Sequence, residues 1–142
     1  MIVTIDGPAG AGKSTAARAL ALRLGFRFLD TGAMYRAVAL AAARRGLDWD
    51  DADALAQLAR NLAIVVDDRL VLLEGEDVSE AIRTAEITAA TRYAANNPGV
   101  REHLVALQRR AAGHDNVVSE GRDQGTVVFP DAACKIYLTA SP

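Results

Sequence analysis

Residues 7–14, Gly7-Pro8-Ala9-Gly10-Ala11-Gly12-Lys13-Ser14, follow the order G-x-x-x-x-G-K-[ST]. A chain of phosphates is bound well only where several backbone N–H groups converge on it. Glycine makes this possible by removing Cβ and permitting positive φ, and a helix that starts just after the loop adds its dipole. Lys13 is expected to reach the β- and γ-phosphates of a bound nucleotide, and the Ser14 hydroxyl is a hard oxygen suited to Mg²⁺. Thr15 continues the same anion-binding turn. A dinucleotide fingerprint is excluded, because Thr15 stands where G-x-G-x-x-G, counted from Gly10 and Gly12, requires its third glycine.

Two further stretches carry arginine next to turn residues. Asp30-Thr31-Gly32-Ala33-Met34-Tyr35-Arg36 opens a helical pattern, and Ser119-Glu120-Gly121-Arg122-Asp123-Gln124-Gly125-Thr126 follows a short apolar run. The elements that must position them alternate between strand and helix. Met1–Asp6 is rich in β-branched residues and enters the glycine loop; Lys13–Leu24 has apolar positions at helical spacing and stops at Gly25. Phe26–Leu29 reads as a strand, and Asp30-Thr31 as the start of a helix running to Arg45 before Gly46. Residues 48–61 read as a helix with an acidic, solvated first turn, and 63–66 with 70–73 as a hairpin around Asp67-Asp68-Arg69. Residues 80–112 are helical apart from the breaker cluster Asn96-Asn97-Pro98-Gly99, and Val117–Ser119 and Lys135–Leu138 supply two more strands. Helices between strands imply an α/β fold, a parallel sheet covered on both faces, with the hairpin in an insertion. Arg36 and Arg122 then fall at the C-terminal rim of the sheet, where ligands bind in such folds.

At 142 residues the chain suits one domain. A net charge of −2 offers no global attraction to nucleic acid or to an anionic membrane, so any anion must be held locally. Of 16 basic residues only Lys13 and Lys135 are lysines, which leaves the planar bidentate donor arginine to supply most positive charge. The single cysteine, Cys134, lies in an apolar run and is expected to be a buried structural thiol. No apolar stretch approaches membrane-spanning length and no leader pattern precedes the first strand, so the expectation is a cytoplasmic protein without membrane or nucleic-acid partners. His103 and His114, eleven apart, do not share a helical face as metal ligands, and Trp49 reads as a packing anchor.

Together with Glu74-Gly75-Glu76-Asp77-Val78-Ser79, Ile82-Arg83-Thr84, Pro98-Gly99-Val100-Arg101 and Gln108-Arg109, these stretches closely resemble the bacterial cytidylate kinases over essentially the whole chain. The resemblance implies a P-loop nucleoside monophosphate kinase domain over 1–142, with an inserted monophosphate-binding segment at about 47–97. It implies transfer of the γ-phosphoryl of ATP to CMP or dCMP, with Mg²⁺, by a monomer. Lys13, Arg36 and Arg122 match catalytic positions, Arg36 and Arg122 by holding the acceptor phosphate. Thr31 matches the position whose hydroxyl approaches the acceptor ribose. Arg101 and Asp123 match the cytosine readers: arginine donates to O2 and N3, and a carboxylate accepts from the 4-amino group. Glu120, at a strand end, suits either of two roles, orienting water around Mg²⁺ or a structural one.

Two departures from the family pattern stand out. Arg92 occupies a position where the family carries a small hydroxyl residue that assists with the base, so that hydrogen bond is expected to pass to Thr91 or be lost. The family also continues past the position of Pro142 with an arginine-rich lid, a further sheet strand and a closing helix. The chain is therefore expected to be C-terminally truncated, with one sheet edge uncovered. Two functional classes follow: a cytidylate kinase, and a truncated module that binds CMP and phosphate with little or no turnover.

Overall fold

The computed structural model describes residues 1–140, which form two compact units. The first contains residues 1–31 and the chain from 108 onward. Its strands are β1 (Ile2–Asp6), β2 (Arg27–Asp30), β6 (Val117–Gly121) and β7 (Cys134–Tyr137), all parallel in the order β2-β6-β1-β7. The register aligns Asp6 with both Gly121 and Tyr137, and Asp30 with Glu120, so the strands end together and their following loops share one rim. Helix α1 (Lys13–Leu24) packs across β6, β2 and β1. Val3, Ile5, Ala17, Ala21, Phe28 and Val118 form the buried cluster between helix and sheet, bordered by Leu20, Phe26 and Leu138. The central strands β1 and β6 are buried on both faces at nearly every position, and the β-branched residues Ile2–Ile5 and Val117–Val118 fill them. The α/β class with a parallel sheet flanked by helices is the one the alternation of patterns implied.

The second unit covers residues 32–107. Helix α2 (Thr31–Arg44) crosses into it from the first unit, and its run Ala37–Ala42 is buried on every side, which small side chains permit. Helix α3 (Ala52–Arg60) begins later than the acidic run suggests. Asp48 instead closes a turn by accepting from the Asp50 amide, and Asp51 is the N-cap, accepting from Ala54 N at 3.1 Å. The hairpin of β3 (Ile64–Asp67) and β4 (Leu70–Leu73) gains a third strand, β5 (Glu76–Asp77), because Glu74 and Gly75 adopt positive φ and reverse the chain in two residues. After a 3₁₀ turn at Ala81–Arg83 come α4 (Ala85–Ala95) and α5 (Pro98–Ala112), the last residues of which belong to the first unit. Asn97 caps α5, its Oδ1 accepting from Gly99 N and Val100 N, with Pro98 at the first helical position. Trp49 stacks on Tyr93 with ring centroids 5.1 Å apart, the packing role expected of it.

Cys134 departs from expectation. Its apolar neighbours suggested burial, but β7 is the edge strand of the described sheet and every residue in it, Cys134 included, is exposed. An apolar run reports the propensity to pair as a strand; whether its faces are covered depends on what packs there.

Candidate phosphate and nucleotide site

The glycine loop occupies the turn between β1 and α1 in the first unit. Gly7, Gly10 and Gly12 have φ of 154°, 78° and 82°, values that L side chains rarely adopt. At Gly7 a Cβ would also collide with the Leu138 carbonyl oxygen, so glycine is required for space as well as for conformation. Gly12 is the residue before α1 and supplies no side-chain cap, so no cap side chain occupies the first-turn amides, which suits an anion-binding helix start. Lys13 folds back and donates from Nζ to the Pro8 carbonyl at 2.9 Å.

Ser14 Oγ donates to Glu120 Oε1 at 2.8 Å. Glu120 lies near the end of β6, is 7% exposed, and accepts at its backbone oxygen from Thr31 Oγ1 at 2.7 Å. One residue therefore meets the hydroxyls of the phosphate loop and of the start of α2. A serine hydroxyl beside a carboxylate is an all-oxygen pair, the donor chemistry that Mg²⁺ prefers. No cluster of three or more His, Cys, Asp or Glu side chains suited to a metal exists among the described residues, so phosphate oxygens and water would have to complete any such shell.

Arg122 follows β6 and lines, with Gly7, Pro8, Ala9 and Tyr137, an open hollow of about 210 Å³. Arg122 thus shares a concavity with the glycine loop. Asp123 is half-buried and accepts from Gln124 Nε2 at 3.1 Å. Sequence reasoning did not single out Tyr137, Gln124 or Asp6; each looked like part of a strand or its neighbour, and only strand order brings them to the rim.

Arg36 and Arg101 belong to the second unit. Arg36 is half-buried, and its Nη1 donates to the Ile82 carbonyl at 3.1 Å and to Thr88 Oγ1 at 2.8 Å, which fixes the direction of the guanidinium. Arg101 is exposed on α5. Arg92 turns its guanidinium over the Tyr93 ring, 4.9 Å from the centroid, and donates to the phenol oxygen at 3.0 Å. Thr91 Oγ1 donates to the Ile87 carbonyl one turn back at 2.7 Å, so its proton is already committed within α4.

The family model for cytidylate kinase matches residues 3–142. Among curated relatives, the cytidylate kinase of Rhodopirellula baltica is 54% identical over 142 residues, all of this chain and 62% of the relative. That of Pelotomaculum thermopropionicum is 55% identical over 145 residues, covering 99% of this chain and 64% of the relative. That of Mycobacterium leprae is 52% identical over 143 residues, covering 100% of this chain and 64% of the relative. The chain thus spans somewhat under two-thirds of the length of these relatives. Among the described residues no helix is long and apolar enough to cross a membrane.

Proposed function

Because the chain belongs to the cytidylate kinase family, we propose that it transfers the γ-phosphoryl group of ATP to CMP or dCMP, giving ADP and CDP or dCDP. The observation that carries this reading is the shared rim of the first unit: a glycine loop with a free helix start, a Ser14–Glu120 oxygen pair, and Arg122 in the same hollow.

In this mechanism the loop amides of residues 7–15 and Lys13 hold the ATP phosphates. Ser14, with Glu120 behind it, would hold Mg²⁺, which would supply charge neutralisation on those phosphates. Arg122 and Arg36 bind the acceptor phosphate; bidentate guanidinium groups suit a dianion and lessen its repulsion from the γ-phosphate. The acceptor oxygen is already anionic, so no side-chain base is needed, and rate comes from alignment and electrostatic stabilisation. Arg101 and Asp123 read the cytosine edge. Thr31 approaches the ribose through its oxygen lone pairs, since its proton is given to Glu120. The segment at about 47–97 is read as the acceptor-side insertion, and the protein as a cytoplasmic monomer whose partners are these small nucleotides.

The test is a coupled assay of ADP formation with CMP, dCMP, UMP and AMP as acceptors, run beside equilibrium binding of each. CMP- or dCMP-dependent ADP formation supports the reading. Selective CMP binding without turnover returns the second class, a nucleotide-binding module, and a preference for AMP overturns both.

A further inference from the structure

We propose that Asp6 is a positioning residue for the acceptor side, holding the Arg122–Asp123 loop against the phosphate loop that begins at the very next residue. This rests on the reading of Arg122 and Asp123 as CMP ligands.

Asp6 ends β1 and is 7% exposed. Its Oδ1 accepts from Gln124 N and its Oδ2 from Gly125 N, both at 2.8 Å. One hydrogen bond would leave the segment free to pivot; two consecutive amides on one carboxylate fix its distance and its rotation together. The fit is close, because a Cβ on Gly125 would lie 2.8 Å from Thr4 Oγ1 on the same strand. Gln124 passes the constraint on. Its side chain accepts from Ser119 Oγ at 2.6 Å and donates to the Asp123 carboxylate at 3.1 Å, so the residue anchored by Asp6 also orients Asp123. Downstream, the single π-type turn Gln124–Val128 is held by Arg109, which donates to the carbonyls of Val128 and Val127 at 2.9 and 2.8 Å.

Asp6 itself cannot drift. Its carbonyl accepts from Leu138 N at 2.7 Å, and its backbone is paired with β6 on one side and β7 on the other. A buried anion beside an anion-binding loop opposes phosphate binding. Removing its charge therefore leaves ATP affinity unchanged or raises it, while loosening the acceptor loop lowers CMP affinity. General loss of stability does not produce that split.

The experiment measures equilibrium affinities for CMP, UMP and ATP in the parent, Asp6→Asn and Val118→Ala. Asn keeps the shape of Asp but offers one acceptor oxygen, so one amide faces an NH₂ group. Val118→Ala opens the sheet core and is the control for plain destabilisation. The expected result for Asp6→Asn is a loss of CMP affinity of about tenfold, a narrower CMP-to-UMP ratio and ATP binding no weaker than the parent; Val118→Ala lowers the melting temperature with the ratio unchanged. Gln124→Met leaves both amides on Asp6 but removes the hold on Asp123, and narrows the ratio even if Asp6→Asn does not fold. A parent that prefers CMP together with variants that keep its ratio overturns the positioning role alone. A parent with no CMP preference overturns the functional reading and this role with it.

Discussion

Ser14 Oγ donates to Glu120 Oε1 over 2.8 Å, joining the end of the glycine loop to the end of β6 across 106 positions of sequence. Mg²⁺ dependence should therefore reside in both residues. Glu120→Gln keeps an acceptor for Ser14 but removes the charge, and Ser14→Ala removes the oxygen ligand. Each should raise the Mg²⁺ concentration for half-maximal activity by roughly tenfold or more, while nucleotide binding measured without Mg²⁺ changes little. An unaltered Mg²⁺ titration in both variants would remove this pair from the metal shell.

Lys13 donates to a loop carbonyl, an exposed local hydrogen bond, so its loss should be silent in stability and loud in binding. A hydrogen bond to a charged group contributes about 1.5–3 kcal/mol, so Lys13→Ala should weaken ATP by roughly tenfold or more with the ligand-free melting temperature nearly unchanged. Isothermal titration beside a thermal melt reads both quantities.

Gly7→Ala should fail for the opposite reason. The residue has φ 154° and its Cβ would meet the Leu138 carbonyl oxygen, a backbone atom that cannot rotate away. A loss of stability of about 2 kcal/mol or more in denaturant unfolding is expected, together with loss of phosphate binding.

Ligand-induced stabilisation should rank CMP and dCMP above UMP and all three above AMP and GMP, since a ligand bound only by the folded state raises the melting temperature with its affinity. Arg101→Ala and Asp123→Asn should narrow the gap between CMP and UMP. Arg36→Ala should weaken every monophosphate alike, and Thr88→Ala, which removes a partner of Arg36, should do so more mildly.

Acid sensitivity has a local source in β5. The Arg44 guanidinium hydrogen-bonded to Glu76 holds that carboxyl below its ordinary range, and the Ser79 hydroxyl and amide do the same for Asp77. A carboxyl with a lowered pKa stabilises the fold above its unfolded value and loses that contribution as pH falls through its folded value. The pair Arg44–Glu76 is exposed, so the effect is small. Melting temperatures of Glu76→Gln should lie slightly below the parent at pH 7 and converge with it as the pH falls below the lowered range of that carboxyl.

Local chemistry made much of this protein legible in the sequence. The loop 7–14 carries the pattern on which the phosphate-site proposal rests, because glycines for backbone access, one lysine and one hydroxyl fall within eight consecutive residues. The alternation of β-branched runs with helical spacing implied a parallel α/β sheet, and Asn97-Pro98 marked where α4 gives way to α5. These features depend on neighbours along the chain, so reading the chain suffices.

Tertiary structure alone decided the rest, because hydrogen bonds between distant residues leave no periodic trace. Asp6 read as the last residue of a strand until its two oxygens met amides 118 and 119 positions away. The pairing of Ser14 with Glu120 follows from the order β2-β6-β1-β7, which sets β6 directly beside β1; no propensity encodes that choice. Cys134 was misread for the same reason. Apolar sequence makes β7 a strand, but burial depends on what covers it, and in the described sheet β7 is at the edge.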